Sequence, residues 1–171
     1  MPPEASADQR RGREPVAAPV VLATAEDTRA WGEHLGGLLR AGDLVVLSGE
    51  LGAGKTTLTQ GIGDGLGVRG PVTSPTFVIA RVHPSLVGGP ALVHVDAYRL
   101  GGFAELDDLD LDTSLEDSVT VVEWGHGLAE GLADDRLEVT LTGEEARTAT
   151  LTAHGRRWAD VTDALAVLGA G

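Results

Sequence analysis

The run Leu44-Val45-Val46-Leu47 leads through Ser48 straight into Gly49-Glu50-Leu51-Gly52-Ala53-Gly54-Lys55-Thr56, and a helical pattern over 56–66 follows at once. This order constrains the chain more than any other feature. A buried strand that empties into a G-x-x-x-x-G-K-[ST] loop and then a helix belongs to a layered α/β architecture with a phosphate site at the strand end. Lys55 is also the one lysine among 13 basic residues. It fills the slot where a compact ammonium reaches the β- and γ-phosphates, and where an arginine fork would crowd backbone N–H groups. Glycines let the backbone fold round the phosphates, and the following helix adds its positive N-terminal end.

Either side of this loop the chain alternates strand-like and helix-like segments. Residues 20–22 read as a short strand. Thr24 follows as a helix N-cap, with Asp27 as the acid of a capping box. Trp31, Leu35, Leu38 and Leu39 then recur at helical spacing as far as Arg40, and Ala41-Gly42-Asp43 ends that helix. In the helix after the loop, Gly61, Gly63 and Gly65 are read as weakening residues. Further strands are expected over 77–82, over 91–95 ending at Asp96, and over 119–122 ending at Glu123, with 83–90 a turn. Segments 136–141 and 148–153 read as a late antiparallel strand pair, and 158–168 as a closing helix. The expected fold is therefore α/β: a P-loop NTPase-like three-layer structure with a mainly parallel sheet and that late pair. Residues 1–19, rich in Pro, Ala, Arg and Glu, are expected to be a disordered leader, and 20–171 a single domain.

Composition narrows the functional classes. The formal charge of −13 over 171 residues argues against a direct grip on nucleic acid, which needs clustered Lys and Arg. With no cysteine, disulfides, thiolate metal sites and cysteine nucleophiles are excluded. Neither a spanning apolar run nor a signal-peptide core is present, so a cytoplasmic protein with no membrane association is expected. The acidic stretch 105–117 lacks the central glycine of a calcium loop and alternates acids with leucines, so calcium binding is rejected.

A phosphate loop needs a hydroxyl on Mg²⁺, an acid near the metal and a group that orients water. Thr56 supplies the hydroxyl. Two strands end in acids, at Asp96 and at Glu123, and spacing leaves open which one serves metal and which serves water. Thr73-Ser74-Pro75-Thr76, between the loop helix and the next strand, is either an ordinary turn or a segment that orders on the γ-phosphate.

The loop, then Thr73-Ser74-Pro75-Thr76-Phe77, then His94-Val95-Asp96-Ala97-Tyr98-Arg99-Leu100, then Val122-Glu123-Trp124, together resemble the bacterial TsaE (YjeE) family in order and spacing. The resemblance runs from about Val20 to Leu141, and more loosely to Trp158. It implies a small ATPase, using ATP and Mg²⁺, required for N6-threonylcarbamoyladenosine at position 37 of tRNAs; hydrolysis by the isolated chain is expected to be slow, because the sequence offers no obvious arginine finger in cis. Its partners would be a TsaD–TsaB heterodimer, reset by ATP hydrolysis, with tRNA touched only through the complex. Transferred residue by residue, Glu50, Leu51, Gly52, Ala53, Gly54, Lys55, Thr56 and Thr57 would cradle the nucleotide. Thr56 and Glu123 would hold the metal, Asp96, Glu123 and Lys55 would serve catalysis, and Thr73, Ser74, Pro75 and Thr76 would form the nucleotide-sensing switch. One departure stands out: Gly125-His126-Gly127 occupies the place where many members carry a further acid.

Two other functions fit a small phosphate-loop protein. A metabolite kinase would bring a lid with several arginines, whereas Arg99 stands alone and Arg156-Arg157 has no lid-like helix pair around it. A nucleotide-gated binding module would need ATP only to set the switch, and replacing Glu123 separates that from an ATPase.

Overall fold

The computed structural model describes residues 19–49, 54–68, 70, 80–96, 116–123, 135–143, 146–161 and 164. The expected leader, apart from Pro19, lies outside them. In chain order the elements are β1 (Val20–Leu22), α1 (Ala25–Gly36), β2 (Leu44–Gly49), α2 (Lys55–Leu66), β3 (Ala80–His83), β4 (Ala91–Asp96), β5 (Ser118–Glu123), β6 (Arg136–Thr142) and β7 (Arg147–His154), followed by a 3₁₀ helix at Arg156–Val161. The strands form one sheet in the order β1-β7-β6-β2-β5-β4-β3. At its centre β6, β2, β5 and β4 run parallel. β3 and β7 join antiparallel on either side, and β1 pairs antiparallel with β7. This is the expected α/β class, with the parallel centre and the late antiparallel pair in place.

Paired residues on neighbouring strands face the same side, which assigns each side chain to a layer. Val45, Leu47, Val119, Val121, Leu137 and Val139 join Trp31 and Leu35 of α1 and Leu58 and Ile62 of α2 in one buried cluster. Each such side chain contributes roughly 1.5–3 kcal/mol relative to an exposed one. The alternate residues Leu44, Val46, Val93, Val95 and Val122 are buried as well. Strands buried on both faces read as unbroken apolar runs, which is why these central segments were legible without alternation.

α1 starts as expected. Thr24 Oγ1 accepts from the Asp27 N–H at 3.1 Å, and Asp27 Oδ2 accepts from the Thr24 N–H at 3.1 Å. The helix stops sooner than its apolar stripe suggests, at Gly36 with Gly37 as C-cap. Beyond it the chain tightens: Leu38 N–H donates to Leu35 O and Leu39 N–H to Gly36 O. Leu39 is thereby still buried, though it is no longer in the α-helix. The α1–β2 turn is tied to the end of the chain. Arg157 Nε donates to Asp43 Oδ1 at 2.8 Å, while its Nη2 reaches Asp43 Oδ2 at 3.0 Å and Leu38 O at 3.2 Å. The guanidinium also lies 4.8 Å from the Trp158 ring centre. The expected closing helix therefore opens as 3₁₀ structure at Arg156, and most of 162–168 lies outside the described residues.

α1 and α2 pack against each other through glycines. A Cβ on Gly32 would come within 2.6 Å of Leu58 O, and one on Gly61 would run into Arg29 O. Gly36 and Gly65 repeat the arrangement one turn along, against Ile62 O and Glu33 O. Read from sequence, the glycines of α2 only cost helix propensity. In the fold, Gly61 and Gly65 let the two backbones approach closely enough to bring α2 down onto the sheet.

Candidate functional site

The parallel strands deliver their C-terminal ends to one edge of the sheet, where α/β folds bind ligands. In β5, Glu123 pairs with Leu47 of β2 on one side and with Asp96 of β4 on the other. β2 ends two residues beyond Leu47, at Gly49, where the loop begins. Three strands thus bring the loop entrance and both predicted acids into one row. Asp96 is placed by its backbone alone, and its side chain lies outside the described residues.

The loop re-enters at Gly54, whose φ of 101° is left-handed. A residue with a side chain would be strained there. Gly54 is the N-cap of α2, no side chain caps this end, and no acid occupies the first turn. The exposed N–H groups and helix dipole therefore stay available for an anion. Lys55 opens the helix and is only 6% exposed, with its Nζ donating to Gly49 O at 2.8 Å. The ammonium thus bends back across the loop to the end of β2. Thr56 and Thr57, half-buried, follow it into the first turn. Glu50, Leu51, Gly52 and Ala53, as well as Thr73, Ser74, Pro75 and Thr76 and the Trp124–His126 segment, lie outside the described residues.

Glu123 is 3% exposed, and beside it lies His94 of β4, which is fully buried. Because β4 pairs His94 with Val121 and Asp96 with Glu123, His94 and Glu123 share the sheet face that carries α1 and α2. His94 Nε2 stands 3.2 Å from Glu123 Oε1. Hydrogen-bond alignment is not met, and neither atom finds a hydrogen-bond partner among the described residues. An orphaned buried polar atom costs about 1–3 kcal/mol, so a small adjustment that pairs these two atoms with each other is favoured. The described residues contain no group of three or more His, Cys, Asp or Glu able to hold a metal alone. The residues present fit Mg²⁺, which keeps waters and takes oxygens from phosphate plus one or two protein groups, here Glu123 and the Thr56 hydroxyl.

Sequence reasoning gave His94 no role, although a histidine inside an apolar strand, two positions before an acid, was the available signal. It also missed Arg147 at the start of β7. Its Nε lies 3.9 Å from the point where a Cβ on Gly54 would sit, and its Nη1 donates to Gly143 O at 2.9 Å. Only the fold brings this cation to the loop, since its sequence neighbours carry no motif. Arg157, by contrast, is held in its ion pair with Asp43.

The family model described as "Threonylcarbamoyl adenosine biosynthesis protein TsaE" matches residues 22–151. The chain belongs to the TsaE family. It is 66% identical over 138 residues to the tRNA threonylcarbamoyladenosine biosynthesis protein TsaE of Streptomyces coelicolor, covering 77% of this chain and 93% of that protein. The TsaE of Mycobacterium tuberculosis H37Rv is 58% identical over 127 residues, covering 70% of this chain and 76% of that one. Among solved structures, Bacillus subtilis YdiB superposes with a TM-score of 0.70 at 32% identity, covering 86% of this chain and 92% of that one. The TsaE match begins at β1 and ends in β7, so it contains the whole row of strand ends described above.

Proposed function

We propose that this TsaE family member is a Mg-dependent ATPase that serves N6-threonylcarbamoyladenosine formation at position 37 of tRNAs. It would dock in an ATP-dependent manner on a TsaB–TsaD heterodimer and reset it between rounds. The observation that carries the reading is the buried Lys55 ammonium at the uncapped N-terminus of α2, in the same row of strand ends as Glu123.

In this reading Lys55 leaves Gly49 O for the β- and γ-phosphates, while the first N–H groups of α2 hold phosphate oxygens. Thr56 and Glu123 would hold Mg²⁺, which would neutralise phosphate charge. Asp96, beside Glu123 in register, takes the water-network role, and Thr73–Thr76 forms the nucleotide-sensing switch. The relatives named for tRNA threonylcarbamoyladenosine biosynthesis supply the pathway. With a net charge of −13, the tRNA is reached through the partners, and no helix among the described residues is long and apolar enough to cross a membrane. A cytoplasmic location follows from that pathway. A kinase lid is further disfavoured because Arg157 is committed to Asp43 and Leu38 O.

Mg-ATP hydrolysis by the purified chain, with and without a TsaB–TsaD heterodimer, tests the proposal. Slow turnover alone and strong stimulation by the pair is the expected result. Phosphate moving from ATP to a soluble metabolite, with none released free, would replace this reading with a kinase.

A further inference from the structure

His94 has no part in the scheme above, yet it is the only side chain whose contact with the Glu123 carboxylate the described structure records. Its ring is fully buried, its Nε2 is 3.2 Å from Glu123 Oε1, and its Nδ1 also lacks a hydrogen-bond partner among the described residues. Both side chains hang from parallel strands in fixed register, His94 beside Val121 and Asp96 beside Glu123. The register therefore keeps the two side chains rooted on the same face of neighbouring strands.

We infer that His94 is a positioning residue for Glu123: its Nε2–H donates to one carboxylate oxygen and leaves the other aimed at the nucleotide side. The inference rests on the ATPase reading for what Glu123 does, but not for the contact itself. The separation already suits a hydrogen bond, and only the alignment is missing. A small rotation of the carboxylate about its own bond completes it, with or without a cation on the outer oxygen. A carboxylate on a free rotor would offer the cation a distribution of oxygen positions. Tied at one oxygen, it offers one, as hydrogen-bonded carboxylates do in metal sites. Only one ring tautomer suits the role. With the proton on Nδ1, a lone pair on Nε2 would face the anionic oxygen and repel it.

Two measurements on the full chain decide the matter. In the nucleotide-free protein, long-range ¹H–¹⁵N correlation of the imidazole should show the Nε2–H tautomer, with resonances that move in Glu123→Gln. The Nδ1–H tautomer would overturn the pairing even if the wild type is an active ATPase. Hydrolysis is then compared for wild type, His94→Leu and His94→Gln. Leucine fills the apolar slot without a donor, whereas the glutamine amide places an N–H near the position of Nε2. His94→Leu should keep ATP affinity within about threefold while kcat falls ~10- to 100-fold, and His94→Gln should recover most of kcat. Unchanged kcat in His94→Leu, or an equal loss in both variants, rejects a positioning role. A wild type that neither binds nor hydrolyses Mg-ATP would sink the ATPase reading instead, and the tautomer would still report on the contact.

Discussion

Between α1 and α2 every available space is taken: Gly32, Gly36, Gly61 and Gly65 sit where even a methyl group would meet the opposing backbone. At the C-terminal ends of β2, β5 and β4 the treatment is reversed. There Glu123 Oε1 and both nitrogens of His94 are withdrawn from water, with no hydrogen-bond partner among the described residues. One region is closely packed and supplies rigidity, while the other holds buried polar atoms that packing alone does not satisfy. α2 belongs to both, because its N-terminus is the proposed phosphate end and its middle turns are the glycine contact. The close fit along its length is what holds Gly54 and Lys55 at a set height above the strand ends.

The contrast can be broken from either side. The largest effect is expected at the ligand end. Lys55→Ala removes the ammonium from the phosphates and should cost about 2–5 kcal/mol of ATP binding, which calorimetric titration would register as loss of measurable affinity. The melting temperature of that variant should stay near the wild-type value. Undiminished ATP affinity would discard the site. Gly61→Ala probes the packed side. Backbone must move to admit the methyl group, so a loss of about 1–3 kcal/mol is expected despite alanine's better helix propensity. A chain of this size should then melt lower by roughly 2–4 °C per kcal/mol. A Gly61→Ala protein as stable as wild type would mean that the helices are further apart than described. Thr24→Ala should have the smallest effect, about 1 kcal/mol by urea unfolding, since it deletes one half of the α1 capping box, one turn before Thr28, which lies beside Gly54. Any change in ATP affinity there would show that the start of α1 helps to place Gly54.

Most of this architecture was legible because local chemistry and tertiary role agree. The buried strands are apolar throughout, Thr24 and Asp27 cap α1 in the standard spacing, and the glycine loop sits between a readable strand and a readable helix. What escaped reading depends on a partner distant in sequence. The glycines of α2 look like defects until α1 is laid against them. Leu38 and Leu39 continue an apolar stripe past the helix because Gly36 and Gly37 tighten the turn without exposing Leu39. His94 acquires meaning only when β4 and β5 pair in register, and Arg147 only when β7 closes beside the loop. The two acids are a middle case. Their strand-end positions were readable and their adjacency follows from the sheet, but dividing metal and water duties between Asp96 and Glu123 rests on the family resemblance.

The most direct test of the account measures Mg-ATP binding and Mg-ATP turnover on the same preparations of wild type and Glu123→Ala, each with the TsaB–TsaD heterodimer present. Lys55 and the end of α2 are expected to hold the nucleotide in both proteins, giving Kd values within about tenfold, while turnover in Glu123→Ala falls by on the order of a hundredfold or more. A Glu123→Ala chain that hydrolyses ATP at the wild-type rate would contradict the account, because the row of strand ends would then not be the place where the chemistry occurs.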